Sequence, residues 1–278
     1  GGSGVPMSFT DIPSGAEAAT PPASLLFADG QIVPHPPDEA FAQGAFNDVP
    51  LIIGSMAQEI DFGPAEKGLS NLTEAGYAAL LRGKFAPFPS VAVADVLALY
   101  PLARFVDAQH AYETIASDIR VACGTIRLAA QFATALTSPV YHFVNEYRLS
   151  TPIALFSLYG NEWVQRFSSH QLDQILLLKT YNNPVSGEHR YVPSADDDSV
   201  SALLLGAFEQ IATDGQLDPK MWPRAVGPAE GVEERSAAGD DAFRSLFISA
   251  SPRVVEAPRK AECAFWEEHG FGRLAWNN

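Results

Sequence analysis

Two side chains in this sequence could do acid–base work together, although they stand 111 positions apart. Glu59 lies five residues beyond Gly54, which ends the apolar run VPLIIG at residues 49–54. His170 heads the stretch HQLDQILLLKTY at residues 170–181. An imidazole that takes and returns a proton needs a carboxylate to hold its tautomer and to stabilise the imidazolium. The plainer alternative is a strand end with an exposed glutamate and an unrelated histidine. The other histidines suit structural roles: His35 sits among prolines, His142 lies inside a predicted strand, and His110, His189 and His269 read as solvent-facing.

For the pair to meet, the elements before them must be neighbours. PLIIGS (50–55) and PVYHFVNEY (139–147) are short, apolar and rich in β-branched or aromatic residues, so both read as strands buried on both faces. Between them, residues 74–83, 91–100 and 107–136 carry helical spacing, with a break expected near Val121–Gly124. A crossover this long implies parallel strands, and chemistry in an open α/β sheet sits beyond their carboxyl ends. Glu59 follows one such end, and His170 follows the other after a loop from Arg148 to about Ser169.

Further along, 170–181 resumes helical spacing, and Asp196-Asp197-Asp198 precede the predicted helix SVSALLLGAFEQIATDG. That triplet suits N-terminal capping better than a metal site, since carboxylates are favourable at a helix start. FRSLFISASPRVVEA reads as a hairpin, and 258–269 as a last helix carrying Cys263 and Trp266. Residues 1–46 are proline-rich and read as an irregular leading segment of one domain spanning 1–278.

The 278 residues carry 33 Asp+Glu against 18 Lys+Arg, a net charge of −15. That field repels nucleic-acid phosphates and anionic lipid surfaces, so neither is an expected partner. No apolar run approaches the ~20 residues of a membrane-spanning helix. The first residues lack the basic and apolar regions of a signal peptide, and with no initiator Met the chain is expected to be a fragment of something longer. Asn71-Leu72-Thr73 is a glycosylation sequon of a kind that chance often supplies. No cofactor or metal is expected.

Several spaced motifs resemble the C-terminal half of the type-B carboxylesterase/cholinesterase family, from about residue 23 to 270. The run ending in Gly54, with Glu59 five residues on, is similar to the family's strand and triad acid. His170 with Asp173 resembles its His-Gly-x-Glu motif, and VYHFVNEYR resembles the strand before it. SLLFADGQIVPHPP and AFEQIATDGQLDPKMWPRA are similar to two further family segments. The resemblance implies the C-terminal portion of an α/β-hydrolase fold, with Glu59 and His170 as acid and base of a Ser-His-Glu triad. It also implies a Cys123–Cys263 disulfide, and through it an extracellular or secretory location. Phe62, Trp163 and Phe167 become candidate pocket walls, with packing the plainer role for each.

Departures accompany the likeness. Met56 stands where the family has Asn, Ile60 follows the acid in place of Gly, and Gln171 replaces the glycine after the base. No Gly-x-Ser-x-Gly occurs; Gly1-Gly2-Ser3-Gly4 does not fit, and Ser168 and Ser169 read as loop residues. The nucleophile and oxyanion hole are therefore expected in an N-terminal half, and this chain alone is expected to be inactive. A small-molecule carboxylic ester is the expected substrate. Retention of both Glu59 and His170 favours the esterase over a non-catalytic binding or assembly domain of the same family. An α/β protein of another function is the remaining reading.

Overall fold

The apolar run after Pro50 and the one after Pro139 lie side by side. The computed structural model describes residues 11–19, 29–35, 39–40, 43–61, 68–152, 165–182, 191–226 and 243–274. Among them the chain order is α1 (Gly15–Ala19), β1 (Leu51–Met56), α2 (Glu74–Phe85), α3 (Val93–Leu99), α4 (Ala108–Ser117), α5 (Cys123–Ala135) and β2 (Val140–Asn145). There follow α6 (Leu172–Leu178), α7 (Ala195–Asp214), β3 (Arg244–Ile248), β4 (Arg253–Glu256) and α8 (Lys260–Glu268).

The strands form one sheet in the order β1-β2-β3-β4, parallel except for the β3–β4 hairpin. Leu51 pairs with Val140 and Met56 with Asn145, so β1 and β2 end level and their following loops leave the same sheet edge. Close approach requires Gly54: a Cβ there would lie 2.5 Å from the Phe143 carbonyl oxygen and 2.4 Å from its ring. The first four residues of β1 are only half-buried, not enclosed on both faces as their composition suggests. The reason is position, because β1 is an edge strand among the described residues.

Side chains alternate across the sheet and define three layers. Met56, Tyr141, Phe143, Leu246 and Ile248 pack against Leu172, Ile175 and Leu176 of α6 and Val200 and Leu204 of α7. Val140, Leu51 and Ile53 face α5 on the opposite side. Beyond α5, a second core joins α2, α3, α4 and α8 through Tyr77, Phe85, Tyr100, Tyr112 and Trp266.

The expected break between α4 and α5 is a π-helical turn over Asp118–Ala122. It holds Asp118, fully buried, where Arg259 donates to both carboxylate oxygens at 2.6 and 2.8 Å and Tyr100 donates at 2.8 Å. One residue past that turn, Cys123 is joined to Cys263 of α8, with 5.2 Å between Cα atoms. A disulfide and a buried ion pair thus tie the last helix to the same point.

Helix α7 starts four residues earlier than its apolar pattern suggests, because the acidic triplet forms its first turn. Ser194 and Asp197 make a reciprocal capping box, and Asp197 also accepts from Tyr147 at 2.8 Å and Tyr191 at 2.7 Å. Capping is therefore the structural role of Asp197, as its position implies.

Candidate functional site

Beyond Met56 the chain turns sharply through Ala57–Asp61, and this turn presents Glu59. The main-chain N–H of Met56 donates to Glu59 Oε1 at 2.7 Å, which holds the carboxylate back over the strand end. Its other oxygen, Oε2, lies 2.6 Å from Nδ1 of His170. The Glu59 side chain is 7% exposed and that of His170 44%, so the carboxylate is enclosed while the imidazole faces outward. The sequence-predicted pair is thus brought together from positions 111 residues apart.

The contact shapes the titration of the base. The hydrogen bond that His170 donates to Glu59 raises the His170 pKa above 6.5; burial opposes this, while the charges of Glu59 and Asp173 add to it. Asp173, in the first turn of α6, is itself raised above 3.8, chiefly by burial and then by the nearby Glu59 charge. The geometry therefore suits an imidazole whose Nδ1 is engaged and whose imidazolium is stabilised when it forms.

The departures noted in the sequence do not separate the pair. Met56 is buried against Tyr141 and Phe143, and its N–H serves Glu59 irrespective of its side chain. Ile60 is fully buried in the helical core, and Ser117 Oγ accepts its N–H at 3.2 Å. Gln171 has φ of +67°, the left-handed conformation that glycine adopts without penalty. The backbone beside the base therefore keeps a glycine-like path with a non-glycine residue.

A layer under the base loop was not foreseen. His110 is half-buried instead of solvent-facing, because its ring stacks on Phe167 at 4.5 Å and 15°. Burial, and then the neighbouring Arg148, push its pKa down to about 4, so it stays neutral. The guanidinium groups of Arg148 and Arg166 each lie 4.9 Å from the Phe167 ring centre, and Arg166 pairs with Asp107 at 2.7 Å. Phe167 is thereby a packed anchor, while Phe62 and Trp163 lie outside the described residues, as does His189.

His142 is fully buried in β2 with Nδ1 2.5 Å from Ser245 Oγ, and burial lowers its pKa to about 3. Ser168 and Ser169 are buried loop residues, and Ser168 Oγ donates to the Asn145 carbonyl at 2.6 Å. Among the described residues no group of three or more His, Cys, Asp or Glu side chains could hold a metal ion. No helix among them is long and apolar enough to cross a membrane.

No protein-family model and no curated protein matches the sequence. Solved structures do match the fold. The carboxylesterase EST55 of Geobacillus stearothermophilus is similar at a TM-score of 0.53 and 18% identity, over 86% of this chain and 43% of its own. EstA of Aspergillus niger is similar at a TM-score of 0.50 and 15% identity, over 88% of this chain and 44% of its own. The chain therefore spans under half the length of these structures and shares their α/β fold over that span.

Proposed function

We propose that this chain is the C-terminal portion of a serine esterase and supplies the acid and base of a Ser-His-Glu triad for carboxylic ester hydrolysis. The observation that carries the reading is the 2.6 Å contact between Glu59 Oε2 and His170 Nδ1, just beyond the carboxyl ends of β1 and β2. That is the region where α/β sheets do their chemistry, and the fold is shared with a carboxylesterase.

A serine from an N-terminal half attacks the ester carbonyl, and His170 takes its proton through Nε2 while Glu59 stabilises the imidazolium. The alcohol leaves with that proton, giving an acyl-enzyme. Water then attacks with His170 again as base, releasing the carboxylic acid and the serine. Backbone N–H groups of the same N-terminal half hold the oxyanion. The half-buried edge strand β1 is where such a half would extend the sheet. The Cys123–Cys263 disulfide supports passage through an oxidising, secretory compartment.

The test is covalent labelling with a fluorophosphonate probe. The protein containing both halves is expected to be labelled on a serine outside this chain, and this chain alone to stay unlabelled. Absence of labelling in the two-half protein would contradict hydrolysis and favour a binding or assembly domain.

A further inference from the structure

We propose that Asp61 is a positioning residue for this site: its carboxylate fastens the backbone of the base loop to the turn that carries the acid, and so sets His170 against Glu59. The inference rests on the triad reading for its catalytic consequence, while the positioning itself stands on geometry.

Asp61 lies two residues beyond Glu59 and is fully buried. Its Oδ2 accepts the main-chain N–H groups of Arg166 at 2.7 Å and Phe167 at 2.5 Å. Bonds that backbone N–H groups donate to a carboxylate are among the stronger ones, and a buried carboxylate without them would be costly. The next residue of the loop is held by the same turn: Gln58 N–H donates to the Ser168 carbonyl at 3.0 Å, and Ser168 N–H donates to Gln58 Oε1 at 3.3 Å. Three consecutive loop residues, 166–168, are thus fixed to the acid turn immediately before His170.

Glu113 of α4 lies nearby, and burial, followed by the charge of Asp61, raises its pKa well above 4.5. The raised value favours the protonated form of Glu113, which lessens the repulsion that two buried carboxylates would otherwise feel. Gln109 donates to Glu113 at 3.0 Å and accepts from Arg166 at 3.0 Å, so one chain of bonds runs from α4 to the base loop. Neither Arg166 nor Phe167 is chosen for its N–H. Any residue except proline could donate there, and the specificity resides in Asp61.

The test compares Asp61→Ala and Asp61→Asn in the protein containing both halves. Asp61→Ala, still folded by its thermal transition, is expected to lower kcat about 10–100-fold, the scale of a misplacement near 1 Å. KM should change little, and the acid limb of the pH profile should move to lower pH as His170 loses its contact with Glu59. Asp61→Asn keeps a carbonyl acceptor and should retain most of kcat and the wild-type limb. If Asp61→Ala does not fold, Asp61→Ser gives the same comparison, since its shorter side chain cannot reach both amides.

An unchanged kcat and limb in folded Asp61→Ala would overturn the proposal. So would a loss that merely tracks the folded fraction with the limb unmoved. The low-field proton resonance of His170 Nδ1–H separates this outcome from failure of the esterase reading. If the wild type shows no turnover, a resonance present in wild type and Asp61→Asn but lost in the folded Ala or Ser variant still supports positioning; its persistence in all variants overturns it.

Discussion

Glu59 divides its carboxylate between two donors: Oε1 takes the N–H of Met56 at 2.7 Å, and Oε2 lies 2.6 Å from His170 Nδ1. The first bond comes from the end of β1, so the orientation of the acid is set by the strand and not by the loop. The base is then brought to it by a loop whose backbone is fastened to the same turn. Carboxylate and imidazole are therefore both referenced to one sheet edge, as the proposed triad would require.

The pH dependence follows from that contact. Glu59 raises the His170 pKa above 6.5, so hydrolysis by the proposed triad, which needs the neutral ring, should lose activity on the acid side of a limb lying above 6.5. Glu59→Gln removes the charge and should move the limb to lower pH, while lowering kcat on the order of 10³–10⁴-fold. Ester turnover across pH measures both; an unmoved limb would contradict the assigned partnership. For stability the sign is that of a raised histidine: the pair contributes fully below pH 6.5 and loses its contribution as pH rises through the folded value.

His142 has the opposite sign. Its folded pKa is held near 3 by burial, so the unfolded chain takes a proton that the folded chain refuses. Between pH 6.5 and 3 this should cost about 1.4 kcal/mol per pH unit of acidification. His142→Leu should flatten the acid slope of unfolding free energy by one proton. Urea titrations at several pH values measure it, and an unchanged slope would show that other groups control acid sensitivity.

Gln171 holds a left-handed conformation that costs a side-chain-bearing residue about 1 kcal/mol. Gln171→Gly should relieve that strain, offset in part by the greater freedom of glycine in the unfolded chain, for a net gain of up to about 1 kcal/mol. The base loop should keep its path, so the His170 titration should not move. Chemical denaturation and the pH profile check the two halves of this expectation; a destabilised variant would contradict it.

The Cys123–Cys263 bridge spans 140 residues and joins α5 to α8 beside the buried Asp118–Arg259 pair. Replacing both cysteines by alanine should cost about 2–4 kcal/mol through the freedom returned to the unfolded chain. Arg259→Met should cost about 3–5 kcal/mol, since Asp118 would then be buried without its cation. Urea midpoints under non-reducing conditions measure both. Two free thiols in a non-reducing peptide map would remove the bridge altogether.

What the sequence made legible was whatever side chains encode. β1 and β2 stood out as β-branched runs bounded by proline, and the long helical crossover between them implied their parallel pairing. The half-buried state of β1 was not legible, because it depends on where the strand sits in the sheet. The start of α7 was hidden because its first turn is acidic instead of apolar, and the cap only becomes visible in the Ser194–Asp197 reciprocity. Most of the support for His170 runs through the main-chain N–H groups of Arg166, Phe167 and Ser168, which leave no trace in residue identity. His110 looked solvent-facing because its burial comes from Phe167, a residue 57 positions away in the sequence.

If Glu59 and His170 serve a nucleophile as proposed, removing the imidazole must abolish turnover. In the protein containing both halves, turnover of a chromogenic carboxylic ester should fall on the order of 10⁴–10⁶-fold in His170→Ala, with the thermal transition retained. Turnover near that of the wild type in the folded variant would contradict the account.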